Sequence, residues 1–391
     1  MQILQTTSTG AAKTATRIQS VDVLRGIVMT LMAIDHVRCY SGLPAGGLTA
    51  GLFFTRWITH FCAPAFVFFA GTSAFLYYKK TNNKTNLAGF LLSRGLLLVV
   101  LELTVIKFFW GFNLNYSNFT LAGVIWMIGW CMVLLALFVR LKPVTIGIIG
   151  LLIMAAQQVF HYVPAILPAA WQQPFAYIWG FFYPSGLDGM PHIAVLFVIL
   201  PWLGVMMAGY GFGTLLYLHP AKLKKICLWV GLSSILIFLL AGSIIILSAP
   251  SATDTRPFIY KLLAQQKYPP SQLFLLMTLG PLIALVPWAQ HAKGWLINAC
   301  KTIGRVPLFY YLLHILLIHI SALVVNIMLT GNTHHEWYNT APFTEVPEEL
   351  RWSLPMLYAV YAVNLVILYF ACRWYAAYKL ANPEKKWLKY I

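Results

Sequence analysis

Arg25 and His36 stand eleven residues apart in the first apolar stretch of the chain, IQSVDVLRGIVMTLMAIDHVRCY, with Asp22 and Asp35 close by. At about 100° per residue, eleven steps return to within roughly 20° of the starting face and advance about 16 Å, so one helix stripe would carry both. A guanidinium is a fixed cation whose planar fork suits a phosphate or carbonyl oxygen. An imidazole accepts and returns a proton near neutral pH, above all when a neighbouring carboxylate fixes its tautomer. The pair therefore points to acid-base chemistry on a ligand that brings negative charge. Further along, Arg56 and His60 lie in FTRWITHFCAPAFVFFAG, Arg94 and Glu102 in the next apolar run, and Arg305, His314 and His319 in GRVPLFYYLLHILLIHISALVV.

The elements that must position these groups are membrane helices. Of 391 residues, 60% are hydrophobic and 9% charged, and a mean hydropathy of +0.74 excludes a water-soluble domain. Apolar runs of spanning length fall at 20–42, 53–78, 86–108, 119–140, 143–161, 190–217, 224–249, 270–290, 303–329 and 353–375. The expected fold is all-α, a polytopic integral membrane bundle of about ten helices. It forms one domain over 1–391, with short polar tails at 1–19 and 376–391. With the first segment inside, the inner loops and tails hold seventeen of the 27 Lys and Arg and the outer loops six, while Arg25, Arg94, Lys107 and Arg305 stay within helices. That asymmetry places both termini in the cytoplasm. It also assigns the net charge of +17 to helix ends beside an anionic leaflet, so no nucleic-acid partner is implied. The first twenty residues lack the pattern of a cleaved signal, which makes the first helix a retained anchor.

Depth follows from orientation. Asp22, Arg25 and Arg94 form an inner stratum; Asp35, His36, His60 and Glu102 form an outer one, with Arg56 at the same level and Pro64 inviting a kink below. Asp35 or Glu102 is the expected carboxylate partner of His36, and Asp22 and Arg25 can pair at i, i+3. His314 and His319, five residues apart, point about 140° from each other, a poor bidentate metal pair. No HExxH spacing occurs, and the six cysteines are scattered, so no metal is expected. Asp188 and His192 flank the outer start of the sixth run and are candidate substrate contacts. The outer loops 162–189 and 330–352, rich in aromatics, prolines and amides, suit the interface or a sugar. Without a Walker motif, Gly-rich phosphate loop or GxSxG elbow, energy must come from a gradient or an activated donor.

Five stretches, SVDVLRG at 20–26, LMAIDHVR at 31–38, RWITHFCAPAFVFFAGTSAF at 56–75, PWLGVMMAGYGFG at 201–213 and GRVPLFYYLLH at 304–314, resemble the bacterial proteins grouped with heparan-α-glucosaminide N-acetyltransferase. Arg25, ten residues, then His36 is also similar to the signature of acyltransferase family 3. The resemblance implies transfer of an acetyl or other short acyl group from cytoplasmic acyl-CoA to a hydroxyl or amine of a glycan outside a bacterial inner membrane. Arg25 and His36 match the Arg and His of that signature, whereas His60 takes no role from it. The loop 39–52, CYSGLPAGGLTAGL, departs from the lysosomal enzyme, which carries an extended luminal segment containing His.

The residues converge on the same chemistry. CoA, a polyanion, would be drawn to Arg25 or Arg94, and His36 would meet its thioester as a general base or as a transient acyl carrier. The expected catalytic groups are His36, Asp35, His60 and Glu102. Substrate would be held by Arg25, Arg94, Asp22, Arg56, Asp188, His192, Arg305 and His314. Acetyl-CoA is the expected donor, a glycan or related molecule the acceptor, the bilayer the solvent, and a homo-oligomer is allowed. The alternative is a proton-coupled transporter or exporter, for which midplane charges are equally natural.

Overall fold

The computed structural model describes residues 18–47, 49–117, 119–186, 192–248 and 254–391. The described chain is 77% helical. The first helix, α1 (Gln19–Tyr40), has Asp22 in its first turn and Arg38 in its last, which complements the helix dipole. Next come α2 (Ala50–Trp57) and α3 (Cys62–Thr81), joined by a 3-10 turn at Ile58–Phe61. Pro64, without an N–H to return to the preceding turn, accounts for that break. Helix α4 (Lys84–Leu101), capped by Asn83, continues through a π-helical turn at Glu102–Ile106 into α5 (Lys107–Gly111).

A strand β1 (Thr120–Ala122) precedes α6 (Val124–Phe138) and α7 (Pro143–Ala156). The loop after α7 holds α8 (Ala169–Trp179) and returns through β2 (Ile193–Val195), which pairs in parallel with β1. Then follow α9 (Ile199–Leu218), α10 (Pro220–Ser248), α11 (Phe258–Leu263), α12 (Gln272–His291), α13 (Trp295–Gly304), α14 (Pro307–Thr330) and α15 (Leu354–Ala381).

Among the described residues, eight helical runs are long and apolar enough to cross a membrane: those centred on α3, α4, α7, α9, α10, α12, α14 and α15. The protein is thus an all-α polytopic membrane bundle. Helix α6 is apolar but shorter, because the strand pair takes residues that the hydropathy pattern assigned to the spans 119–140 and 190–217. Helix α1 has spanning length but is interrupted by Asp22, Arg25, Asp35 and Arg38. It packs against α3, α12, α13, α14 and α15, so its charges face protein and not lipid. Apolar side chains of α10 and α15, including Trp229, Leu236, Ile244, Val363, Phe370 and Trp374, are exposed, as expected of a lipid-facing shell.

Two glycine pairs set the tightest crossings. A Cβ on Gly71 or Gly209 would lie 1.9 Å from Met206 O or 2.0 Å from Phe68 O, so α3 and α9 meet backbone to backbone. Gly26 and Gly304 do the same for α1 and α13, at 1.8 Å from Cys300 O and 1.9 Å from Asp22 O. The span expected over 303–329 is therefore divided: α13 ends at Gly304, Arg305 sits in the break, and Pro307 opens α14.

Candidate active site

Two cavities lie along α1, one at the level of His36 and one at the level of Arg25. The first, about 480 Å³, is lined by Asp35, His36 and Arg38 of α1, with Arg56, Glu102, Trp110, Lys267 and Tyr311 among the groups facing them. The carboxylate of Asp35 does not hold His36. It is taken by two cations: Arg38 Nε donates to Oδ1 at 3.0 Å and Arg56 Nη1 to Oδ2 at 2.5 Å. Glu102 does not hold His36 either. Its carboxylate meets the backbone N–H groups of Ile125 and Trp126 in the first turn of α6, the natural seat for an anion at a helix N-terminus. Gly123 makes room for it, since a Cβ there would fall 2.2 Å from Oε1. Oε2 of Glu102 is buried without a hydrogen-bond partner. The π-turn is what brings this carboxyl group round to the cavity.

The partner of His36 is His314, with Nδ1 of the former 2.7 Å from Nε2 of the latter. His314 is fully buried, and its Nδ1 lies 3.1 Å from the carbonyl oxygen of Tyr310. A carbonyl only accepts, so Nδ1 of His314 carries the proton and its Nε2 is the acceptor. His36 must then donate from Nδ1, which leaves Nε2 with a free lone pair. Trp110 closes against the His36 ring edge-on at 4.8 Å. Sequence reasoning placed His314 among substrate contacts and offered carboxylates as partners. It missed a second imidazole from a helix 278 residues away.

The second cavity, about 320 Å³, collects cations: Arg25 from α1, Arg94 from α4, Arg305 from the break before α14, and Lys379 from α15. Arg25 Nη2 donates to Phe69 O at 2.9 Å and to Ser73 Oγ at 2.8 Å. Arg94 Nη1 donates to Lys389 O at 2.8 Å, and Arg305 Nε stands 3.9 Å from Asp22 Oδ2. Phe66 and Tyr311 line both cavities, which therefore adjoin. The stripe predicted for α1 thus opens onto one chamber at each end.

Three expected groups stand elsewhere. His60 faces a separate cavity of about 360 Å³, with Nδ1 3.0 Å from Arg56 O. Arg256 borders that cavity, and its hydrogen bonds to Asp254 (2.9 and 2.8 Å) hold the Asp254 carboxyl well below the usual carboxylate range. His192, in the left-handed conformation at φ 68, accepts from Thr120 N–H through its own carbonyl and lines neither chamber of α1. Asp188 lies outside the described residues. No three His, Cys, Asp or Glu side chains come together as a metal-holding set among the described residues.

Residues 17–250 match the family model of the heparan-alpha-glucosaminide N-acetyltransferase catalytic domain. The chain belongs to this acetyltransferase family. No individual curated protein matches it. The matched segment of this membrane acetyltransferase covers α1 to α10, and so includes Arg25, His36, Arg94 and Glu102. Beyond the matched segment, Lys267 lines the His36 chamber, Arg305 lines the Arg25 chamber, and His314 holds the His36 ring, so the C-terminal part of the chain contributes to both candidate chambers.

Proposed function

We propose that this acetyltransferase carries an acetyl group across the membrane, from acetyl-CoA in the Arg25 chamber to a hydroxyl or amine in the His36 chamber. The observation that carries this reading is the shared lining: the cavity that collects Arg25, Arg94 and Arg305 and the cavity that holds the His36 imidazole have Phe66 and Tyr311 in common. CoA phosphates suit Arg25, Arg94 and Arg305, and its thin pantetheine arm would pass Phe66 and Tyr311 to bring the thioester to His36. By the charge asymmetry of the loops, the Arg25 chamber faces the cytoplasm in a bacterial inner membrane. The family's name supports an amino sugar as acceptor and N-acetylation as the reaction.

In the proposed step, Nε2 of His36 removes the acceptor's proton as its oxygen or nitrogen attacks the thioester carbonyl. The tetrahedral intermediate collapses with cleavage of the C–S bond, and the imidazolium returns the proton to the departing CoA thiolate. His314 keeps His36 in the tautomer that can begin this sequence. Asp35, locked by Arg38 and Arg56, fixes the end of α1 and takes no proton. Glu102, with one oxygen unpartnered, is placed to receive a polar hydrogen of the acceptor.

The test is the full-length detergent-purified protein with His36→Ala. Acetyl-CoA should still raise its melting temperature, while transfer to a panel of amino sugars falls by a factor of about 10² to 10⁴. Retained turnover in this variant would remove His36 from the chemistry. Solute flux without any acetyl transfer by the wild type would favour the transporter.

A further inference from the structure

Lys267 lies in the segment between α11 and α12, four residues before the Ser271 cap of α12. The residue is only 9% exposed and lines the His36 chamber. The ammonium rests over two rings, 5.7 Å from the centroid of Phe197 and 5.2 Å from that of Tyr268. Among the described residues it has no hydrogen bond and no carboxylate partner. The nearest candidate, Asp35, already has each oxygen bound by a different arginine. Glu102 is turned to the N–H groups of α6. The chamber thus holds three fixed cations, Arg38, Arg56 and Lys267, and the one ion-paired carboxylate satisfies only the two arginines. An unpaired ammonium held out of bulk water is costly. Face-on contact with aromatic rings recovers part of that cost, yet leaves the three N–H donors of the ammonium unfilled.

We propose that Lys267 is the anion seat of the acceptor site, so that the acceptor is an acidic sugar whose carboxylate or phosphate rests on Nζ while its reactive hydroxyl or amine meets His36. This rests on reading the His36 chamber as the acceptor side. The aromatic lining favours a sugar over a bare ion: Trp110 and Tyr268 both border the chamber and supply aromatic surface against which a pyranose ring can pack. The other chamber has its own cations for the phosphates of CoA, so Lys267 is not needed there. An acceptor with a fixed negative group would be oriented at two points, by its anion at Lys267 and by its nucleophile at His36. That two-point contact fixes which hydroxyl or amine reacts.

The experiment measures thermal stabilisation of the full-length purified protein by glucuronate, glucose 6-phosphate, uncharged glucose and inorganic phosphate, with acetyl-CoA as a separate arm. Glucuronate, glucose 6-phosphate or both should stabilise the wild type, and which of them does so identifies the anion. Lys267→Met, which keeps the stem over the rings, should weaken that binding about tenfold or more, and Lys267→Arg should retain most of it. Stabilisation by acetyl-CoA should be the same in all three proteins. The proposal is overturned if glucose binds as well as the acidic sugars, if neither acidic sugar binds, or if inorganic phosphate alone equals glucose 6-phosphate. It is also overturned if Lys267→Met leaves acidic-sugar binding intact or removes acetyl-CoA binding instead. Failure of acetyl-CoA to bind any of the proteins would strike the donor assignment while the sugar arms still report on Lys267.

Discussion

Replacing His314 by Leu removes the acceptor for the Nδ1 proton of His36 while filling nearly the same space. In the native site the two rings share a 2.7 Å hydrogen bond, and His314 is itself tied to Tyr310 O at 3.1 Å. Leu at this fully buried position leaves the His36 N–H without its partner. A buried hydrogen bond lost in this way costs about 1 to 3 kcal/mol, and the freed ring can place its proton on Nε2, the nitrogen the reaction needs bare. With about 1.4 kcal/mol to each factor of ten, the turnover rate should fall roughly 5- to 150-fold. The assay is acceptor-dependent release of CoA thiol at saturating acetyl-CoA. KM for acetyl-CoA should hardly change, because the substitution is made outside the cation-lined chamber. His314→Gln, which can still present an oxygen to His36, should recover part of the lost rate. Wild-type turnover in His314→Leu would show that the imidazole pair is packing and does not set the His36 tautomer.

Arg25→Ala should raise KM for acetyl-CoA about tenfold or more, measured as donor dependence of turnover, since it deletes a fixed charge from the donor chamber. Raising salt from low to physiological strength should weaken donor use in the wild type more than in this variant. Gly123→Ala places a Cβ 2.2 Å from Glu102 Oε1; it should lower the melting temperature, with a cost of about 1 to 3 kcal/mol, and reduce turnover together. Gly71→Ala should be strongly destabilising, because its Cβ would stand 1.9 Å from the Met206 carbonyl oxygen, whereas Gly89→Ala, with nothing within 4 Å, should be neutral or stabilising by up to about 1 kcal/mol in the same melting assay.

Much of this architecture is visible in the sequence because the bilayer imposes length and apolarity on every span. Each of the ten apolar runs contains a helix, although strands take part of 119–140 and 190–217 and a break divides 303–329, and the Arg25 and His36 stripe faces the bundle interior because charge in lipid has no other stable place. The departures have local causes. His60 leaves the expected face because the 3-10 turn at Ile58–Phe61 rotates about 120° per residue and breaks the α-helical wheel. α13 is hidden from hydropathy because it is ten residues long and amphipathic. β1 and β2 pair across 73 residues of sequence, a non-local contact without a periodic signature. The His36 and His314 pair is non-local in the same way. Lys267 reads in sequence as one more outer-loop cation, and only the fold of the QQKYPPSQ segment brings it under cover beside His36. The two cis peptide bonds, at Pro269 and Pro342, belong to segments that border this chamber, and neither could be read from composition.

Sided transfer in proteoliposomes of uniform orientation decides whether the acetyl group passes through the membrane from one chamber to the other. Acetyl-labelled acetyl-CoA is supplied only on the Arg25 side and acceptor only on the His36 side. Labelled product should appear on the acceptor side with the wild type and not with His36→Ala. Product formed only when donor and acceptor are supplied on the same side would contradict passage from one chamber to the other.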